Sequence, residues 1–316
     1  MSVDSAGMVT ARDSGRAVIK ATVAGKSDTV VITVVADEPF PAPPSRPGDS
    51  FAVLVGAGDI AKCNAANRAR ATARLLDSIP GTVFTLGDNA YDDGTAAEFA
   101  DCYDPAWGRH KARTRPALGN HEYNISPDPY FDYFDGVGHD SGAAGGRGAG
   151  YYSYDLATWH VIVLNSEIAA DSMSPQAAWL RGDLAAHVTR CALAYWHRPF
   201  FASGPHRSFT PMRPLIAMLY AAGVDVILSG HNHQYERFGP QDPAMHPDTS
   251  AGMRAFVVGT GGAAVYDIWT PQPNSEVRNG SVHGVLKLSL APNHYTWHFV
   301  PIAGETFSDS GTGDCH

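Results

Sequence analysis

Apolar and β-branched residues fall in short runs broken by glycine, proline and polar residues. Near the start, VIKATV at 18–23 and TVVITVV at 29–35 flank Ala24-Gly25-Lys26-Ser27. Two β-branched runs about one turn predict a β-hairpin. Residues 37–50, DEPFPAPPSRPGDS, contain five prolines and predict an extended, semi-rigid linker. A second domain then begins at about Phe51. Apolar runs at 51–57, 82–86, 159–165, 191–196, 224–229, 255–259, 284–290 and 295–301 predict strands, and helical periodicity predicts helices at 64–78, 175–188 and 212–222. Alternating strands and helices indicate an α/β fold. The last strands follow each other without helices, so part of the sheet structure is antiparallel. A sandwich of two mixed sheets with helices outside, αββα, satisfies both patterns.

Composition narrows the class. The chain has 316 residues, 44% hydrophobic and 17% charged, with 32 glycines and 22 prolines. That is enough for one large domain and a small one, and it describes a loop-rich globular protein rather than a disordered or coiled-coil chain. The formal net charge of -9 argues against a nucleic acid as a stable partner, because phosphate backbones are held by Lys and Arg. It leaves a small phosphate-bearing substrate open, since bound cations reverse the local field. No apolar run reaches the length of a membrane span. The first residues show neither the basic nor the apolar part of a signal peptide.

Cys63, Cys102, Cys191 and Cys315 form no CxxC pair, which speaks against a zinc ribbon or thioredoxin-type site. Four cysteines allow three disulfide connectivities. The expected one is Cys63–Cys102, tying two loops that follow strands, with Cys191–Cys315 pinning the tail. Four buried free thiols are the alternative. Residues 136–150 are glycine-rich, but the glycines are scattered and open no helix, so they make no dinucleotide fingerprint.

Five motifs stand where apolar runs end: Gly58-Asp59, Gly87-Asp88-Asn89-Ala90-Tyr91, Gly119-Asn120-His121-Glu122, Trp196-His197-Arg198-Pro199 and Gly230-His231-Asn232-His233. Ligands bind beyond the carboxyl ends of strands in α/β sheets, and a glycine before each polar residue permits a sharp turn. Each motif alone is weak. A Gly-Asp pair is usually a turn, and a lone histidine is more often a satisfied core residue. Together, carboxylate, amide and imidazole donors at successive strand exits suit two adjacent hard or borderline cations.

The order GD, GDxxY, GNHE, xxxH, GHxH resembles the calcineurin-like metallophosphoesterase superfamily over about 51–302, and within it the purple acid phosphatases. The resemblance implies a secreted phosphomonoesterase of acid phosphatase type with a dinuclear metal centre. Asp59, Tyr91 and His233 would hold the first ion, Asp88 would bridge, and Asn120, His197 and His231 would hold the second. A hydroxide generated between the ions would attack phosphorus in line, with His121 as acid for the leaving oxygen. Most relatives carry Asp-x-His in the first motif, and here the residues are Asp59-Ile60-Ala61. Alanine cannot ligate, and Tyr91, three residues after Asp88, replaces the missing histidine. A phenolate favours Fe(III) at that site, and the amide and imidazole donors of the second suit Zn(II), Fe(II) or Mn(II).

His206, nine residues after His197, is a second candidate for contact with substrate, with an ordinary surface histidine as the alternative. Arg198 and Arg207 are candidates to meet anionic groups of a substrate, with a solvated loop face as the alternative and the favoured one for Arg198, while Glu236 or Arg237 would support the His-x-His loop. Asn89 reads as a loop-capping amide and Glu122 as structural. The segment VDSAGMVTARDSGRAVIKATVAGKSDTVVITV resembles the C-terminal half of a bacterial Ig-like repeat (group 2). It implies a secreted or cell-surface bacterial protein and contact with a cell surface or polysaccharide through residues 1–36. Two further functions stay open: a phosphodiesterase or nucleotide-cleaving enzyme on the same site, and a cell-surface binding protein with a dead catalytic domain.

Overall fold

The computed structural model describes residues 51–316, apart from the side chains of Ala65 and Ala66, and the backbone of four strands among residues 1–50. The chain divides into two compact units, Met1–Asp49 and Ser50–His316. In the first, Gly15–Val23 and Lys26–Val34 form an antiparallel hairpin with Val23 opposite Lys26, as the β-branched runs predict. The Ig-like repeat and the proline-rich linker lie outside the described residues.

The second unit is built on thirteen principal strands. These are β1 (Ala52–Ala57), β2 (Thr82–Leu86), β3 (Thr114–Ala117), β4 (Tyr152–Leu156), β5 (Trp159–Val163), β6 (Cys191–Tyr195), β7 (Val226–Ser229), β8 (Tyr235–Phe238), β9 (Arg254–Val258), β10 (Ser275–Asn279), β11 (Gly284–Leu290), β12 (His294–Pro301) and β13 (Ser310–Asp314). One sheet has the order β13-β12-β11-β1-β2-β3, the other β4-β5-β6-β7-β9-β8-β10. In the first, β1, β2 and β3 run parallel and β11 to β13 antiparallel. In the second, β5, β6, β7 and β9 are parallel. The helices are α1 (Ala66–Ser78), α2 (Asp128–Phe134), α3 (Pro175–Ala186) and α4 (Arg213–Ala221). The result is the expected αββα sandwich.

Side-chain alternation along the strands decides which face meets which layer. Val161, Val163, Leu193, Tyr195, Val226 and Leu228 point into the space between the sheets, against Leu54, Phe84, Leu86, Leu286 and Leu288. Their chain neighbours Ile162, Ala192, Ala194 and Ile227 point outward onto Leu180 of α3 and Leu215, Ile216 and Leu219 of α4. Both faces are buried, so these parallel strands read as unbroken apolar runs in the sequence. α3 starts where Ser174 accepts a hydrogen bond from the Ala177 amide, with Pro175 in the first turn, the placement expected of a capping serine and an N1 proline.

All eight expected strands and three expected helices are present, with ends shifted by up to two residues. β3, β4, β8, β10, β13 and α2 were not expected. β3 contains Pro116 and sits at a sheet edge, where a missing amide donor is tolerated. β10 and β13 alternate half-buried and exposed polar residues, so they lack an apolar signature. Among the described residues no helix is long and apolar enough to cross a membrane.

The two disulfides are Cys63–Cys102 and Cys191–Cys315, the expected connectivity. The first joins the loop after β1 to the segment after β2. The second joins the start of β6 to the residue after β13 and so ties one sheet to the other. It closes 124 residues, and a closure of that length restricts the unfolded chain by on the order of 4–5 kcal/mol in the loop-entropy description.

A buried polar pair lies on the outer side of the second sheet. His160, 1% exposed, meets Asp183 at 2.8 Å through Nε2 and Asp155 at 3.1 Å through Nδ1. Burial disfavours the imidazolium, but the hydrogen bonds to Asp183 and Asp155 outweigh it and raise the His160 pKa. Burial also disfavours the Asp183 carboxylate, and the same contact outweighs that and lowers its pKa. The His160 contribution is therefore complete below its unfolded value, about 6.5, and is lost as pH rises through the raised folded value. The Asp183 contribution is present above about 3.9 and is lost as pH falls through the lowered one. The pair supports the fold most between about pH 4 and 6.5. His160→Gln is expected to lower the melting temperature more at pH 5.5 than at pH 9. An equal loss at both pH values rules the ion pair out as the cause.

Candidate metal centre

The donor residues stand on the loops leaving parallel strands. Asp59 follows β1, Asp88 and Tyr91 follow β2, Asn120 follows β3, His197 follows β6, and His231 and His233 lie between β7 and β8. The two sheets thus contribute from both sides of one end of the sandwich. Cross-links hold the loops in register: the Asp59 amide donates to Gly87 O at 3.0 Å, the Ile60 amide to Asp88 O at 2.9 Å and the Gly230 amide to His197 O at 2.9 Å.

Glycine serves these loops in two ways. Gly87 takes the left-handed turn expected of a motif glycine (φ 81°), but Asp59 (φ 60°), Asp88 (φ 48°) and His231 (φ 67°) are left-handed themselves. Such backbone costs a non-glycine residue about 1–2 kcal/mol and concentrates at functional sites. Gly119 and Gly230 instead supply space. A Cβ on Gly230 would stand 2.7 Å from Asp59 Oδ2, and one on Gly119 would stand 2.3 Å from the Asp88 nitrogen.

All seven expected donors meet. Tyr91 Oη lies 2.9 Å from Asp59 Oδ1, 3.1 Å from Asp88 Oδ2 and 3.1 Å from His233 Nε2. His233 Nε2 lies 3.2 Å from Asp59 Oδ1. On the other side, His197 Nε2 lies 3.3 Å from Asp88 Oδ2, 3.1 Å from Asn120 Oδ1 and 3.1 Å from His231 Nδ1. Asp88 Oδ2 is shared by the two groups, the position a bridging carboxylate requires. Donors at right angles about an ion about 2.1 Å away stand about 3.0 Å apart, so these spacings match coordination edges.

The remaining atoms of the donors are spoken for. Asp59 Oδ2 accepts from the His231 amide at 2.8 Å, and Asp88 Oδ1 from the His121 amide at 2.9 Å. This leaves Asp59 Oδ1 and Asp88 Oδ2 turned into the cluster. His197 Nδ1 faces Leu86 O at 2.7 Å and His233 Nδ1 faces Ala264 O at 2.6 Å. Each donates there, so each Nε2 presents a lone pair inward, the usual arrangement behind a metal-binding imidazole.

Electrostatics call for a cation. Asp59 and Asp88 are 0% and 1% exposed, and their ion-pair partners among the described residues are histidines only. Buried charges are paired or coordinate metals. Burial, then the charges of Asp59 and Asp88, push the Tyr91 phenol well above its ordinary range. Burial opposes charge on His197, yet the adjacent Asp88 outweighs it and lifts His197 to about 10. His231 is pushed well down, by burial first and then by His197. That pull toward a positive charge marks a site short of cations. Metal binding releases protons, because ligating imidazole is neutral and ligating phenol ionised. The donor set fits two ions.

His121 and His206 both reach the cluster. The His121 ring lies 4.4 Å from that of Tyr91, tilted by 54°, its Nδ1 contacts Asp92 O, and its Nε2 lies 3.7 Å from Asp88 Oδ2. His206 stands on the rim, with its ring 4.3 Å from His231 and 5.5 Å from Tyr266.

Three surrounding residues have larger parts than the sequence indicated. Arg198 is not a solvated loop residue. It is half-buried, pairs with Glu167 at 2.9 Å and reaches within 3.4 Å of His231 Nε2, because Glu167 arrives from the loop after β5. Glu122 is fully buried and accepts from the amides of Asp88 (3.1 Å), Asn89 (2.7 Å) and Gly119 (2.7 Å). It fastens the loop bearing Asp88 to the loop bearing Asn120. Burial, and then the charge of Asp88, lift its carboxyl to about 7. Tyr266 stacks on His233 at 4.1 Å and 11°. Nothing in the sequence pointed to it, because it comes from an irregular loop far along the chain. As expected, Asn89 caps a loop, donating to Ala117 O at 3.0 Å, and Glu236 supports the His-x-His segment through Gln234 at 2.9 Å. Arg237 instead pairs with Asp309 at 2.7 Å, away from the donors.

Comparison with known proteins agrees with this geometry. The family model for the calcineurin-like phosphoesterase matches residues 52–235. Purple acid phosphatase 21 of Arabidopsis thaliana is 30% identical over 295 residues, covering 82% of this chain and 62% of that protein. Purple acid phosphatase 22 of the same plant is 30% identical over 292 residues, with the same coverage. The chain therefore spans less than two thirds of these relatives. Among solved structures, purple acid phosphatase PPD1 from yellow lupin (Lupinus luteus) superposes with a TM-score of 0.67 at 19% identity, covering 92% of this chain and 57% of that one. GAP50, described as the anchor in the inner membrane complex of Plasmodium, superposes with a TM-score of 0.63 at 14% identity, covering 84% and 89%. These likenesses establish the fold and leave the chemistry to the site. With a family match over more than half its length and the donors of that family gathered at one end of the sandwich, the chain belongs to the calcineurin-like phosphoesterase family.

Proposed function

We propose that the protein is a metal-dependent phosphoric ester hydrolase of purple acid phosphatase type, acting on phosphate monoesters. The observation that carries this reading is the meeting of seven donors in two groups that share Asp88 Oδ2. Asp59, Tyr91 and His233 would hold one ion and Asn120, His197 and His231 the other, with Asp88 available to both. Fe(III) suits the phenolate site, and Zn(II), Fe(II) or Mn(II) the second. The ions supply Lewis acidity toward phosphoryl oxygens and toward water.

The chain's own residues orient and move protons. His121 donates through Nδ1 to Asp92 O, which leaves Nε2 free to hold a proton for the departing alkoxide. Its backbone amide fixes Asp88, so acid and bridge stay in register. His206 stands across the centre, against His231, placed to meet the ester from the other side. Glu122 keeps the Asp88 and Asn120 loops together during turnover. The GAP50 likeness allows a binding protein of the same fold, but all seven donor positions here carry competent residues. Two disulfides suit an oxidising compartment and support a secreted or cell-surface location.

A metal chelator is expected to abolish hydrolysis of p-nitrophenyl phosphate, with iron and zinc restoring it. Protein whose hydrolysis survives complete metal removal would refute the proposal. The iron-loaded protein should show a visible tyrosinate charge-transfer band, and Tyr91→Phe should remove it; a band that survives in the variant means another ligand produces the colour. His121→Ala is expected to slow alkyl phosphates by about a hundredfold, the size typical of general-acid loss, and p-nitrophenyl phosphate much less. Equal losses on both esters would show that His121 is not the acid.

A further inference from the structure

A cavity of about 470 Å³ is lined by chain neighbours of residues that pack on the candidate donors. Its wall is formed by 202–204, Arg207 and Ser208 on one side and by Trp269, Thr270 and Gln272 on the other. Two chain neighbours join it to the donors. His206, beside Arg207, lies 4.3 Å from His231, and Tyr266, three residues before Trp269, stacks on His233. Its volume is that of a small-molecule site.

Two lining side chains are unspent. Trp269 is 61% exposed, and among the described residues its indole has no ring or hydrogen-bond partner. The Arg207 guanidinium likewise forms no ion pair or hydrogen bond among them. Their backbones, by contrast, are fixed. The Trp269 amide donates to Ser203 O at 3.1 Å and the Gln272 amide to Ser203 Oγ at 2.9 Å. The Ser203 amide donates to buried Glu236 at 2.9 Å. Arg207 is left-handed (φ 56°), and its amide closes a turn onto Gly204 O at 3.0 Å. Strained backbone that carries an unpaired charge is the kind of feature retained at binding sites. An indole face attracts flat rings, and a guanidinium pairs with carboxylate or phosphate.

We propose that this cavity receives the alcohol part of the ester, and that Trp269 and Arg207 select phosphate esters whose alcohol carries an aromatic ring and a second negative charge. The proposal rests on the phosphoesterase reading above. It makes the cavity, not the donors, the source of preference among monoesters.

The test compares ethyl phosphate, phenyl phosphate and 4-carboxyphenyl phosphate on the metal-loaded protein. Trp269→Ala is expected to lower the ratio of kcat/KM for phenyl over ethyl phosphate about fivefold, the size of one stacking contact. Arg207→Gln is expected to lower the ratio for 4-carboxyphenyl over phenyl phosphate about threefold, the size of an exposed ion pair, with the effect fading in high salt. If the wild type cleaves all three esters and neither ratio moves, the cavity is not a specificity site. If it cleaves none, the phosphoesterase reading fails, and binding of phenylphosphonate and methylphosphonate decides the cavity's role by itself. Tighter phenylphosphonate binding that Trp269→Ala removes upholds that role, and equal affinities overturn it.

Discussion

Two carboxylates removed from water govern this structure. Asp59 and Asp88 lie at 0% and 1% exposure with histidines as their only ion-pair partners among the described residues. An isolated buried charge costs far more than a fold can spare. Everything around them answers that constraint. One oxygen of each accepts a backbone amide, and the other faces imidazole and phenol groups. The left-handed backbone at Asp59, Asp88 and His231 is strain that the surrounding loops must hold. The close approach of those loops leaves no room for a Cβ at Gly119 or Gly230.

The sandwich is the frame on which that strain is tolerated. Parallel strands from both sheets end on the same side, so loops distant in sequence are delivered to one place. Buried apolar residues on both faces of β5, β6 and β7 hold these strands against the other sheet and against α3 and α4. Rigid strands then fix the loop origins, and Glu122 fixes the loops to each other. The Cys191–Cys315 bond joins the two sheets, so they cannot separate without unfolding. Function and stability meet in this arrangement, because loosening the sheets would part the two halves of the donor set.

The same end of the molecule also carries the surfaces that would meet a substrate. His121, His206 and Tyr266 ring the donors, and the Trp269–Arg207 cavity opens beyond them. These groups come from loops whose backbones are anchored by buried hydrogen bonds while their side chains stay open. Such a division would suit the proposed function, with ions held rigidly and esters met at the rim.

The sequence by itself determined the αββα class, because strands buried on both faces are continuous apolar runs and helices repeat every three to four residues. It also singled out the residues that the fold gathers at one end, because short motifs at strand exits carry them, and the local spacing of Asp88 and Tyr91, together with Ala61, put the tyrosine forward as a candidate donor. Local signals stop there. Edge strands were not legible: β10 and β13 are half-exposed and carry no apolar signature, and β3 is short and contains Pro116. Arg198 took its partner from Glu167, 31 residues away, and Tyr266 came to His233 from an irregular loop. Only the tertiary structure could decide these, because the pairing of distant loops depends on how the two sheets pack. It also decided that Asp59, Asp88 and His231 take left-handed backbone, while Gly119 and Gly230 supply space, since that follows from how closely the loops approach.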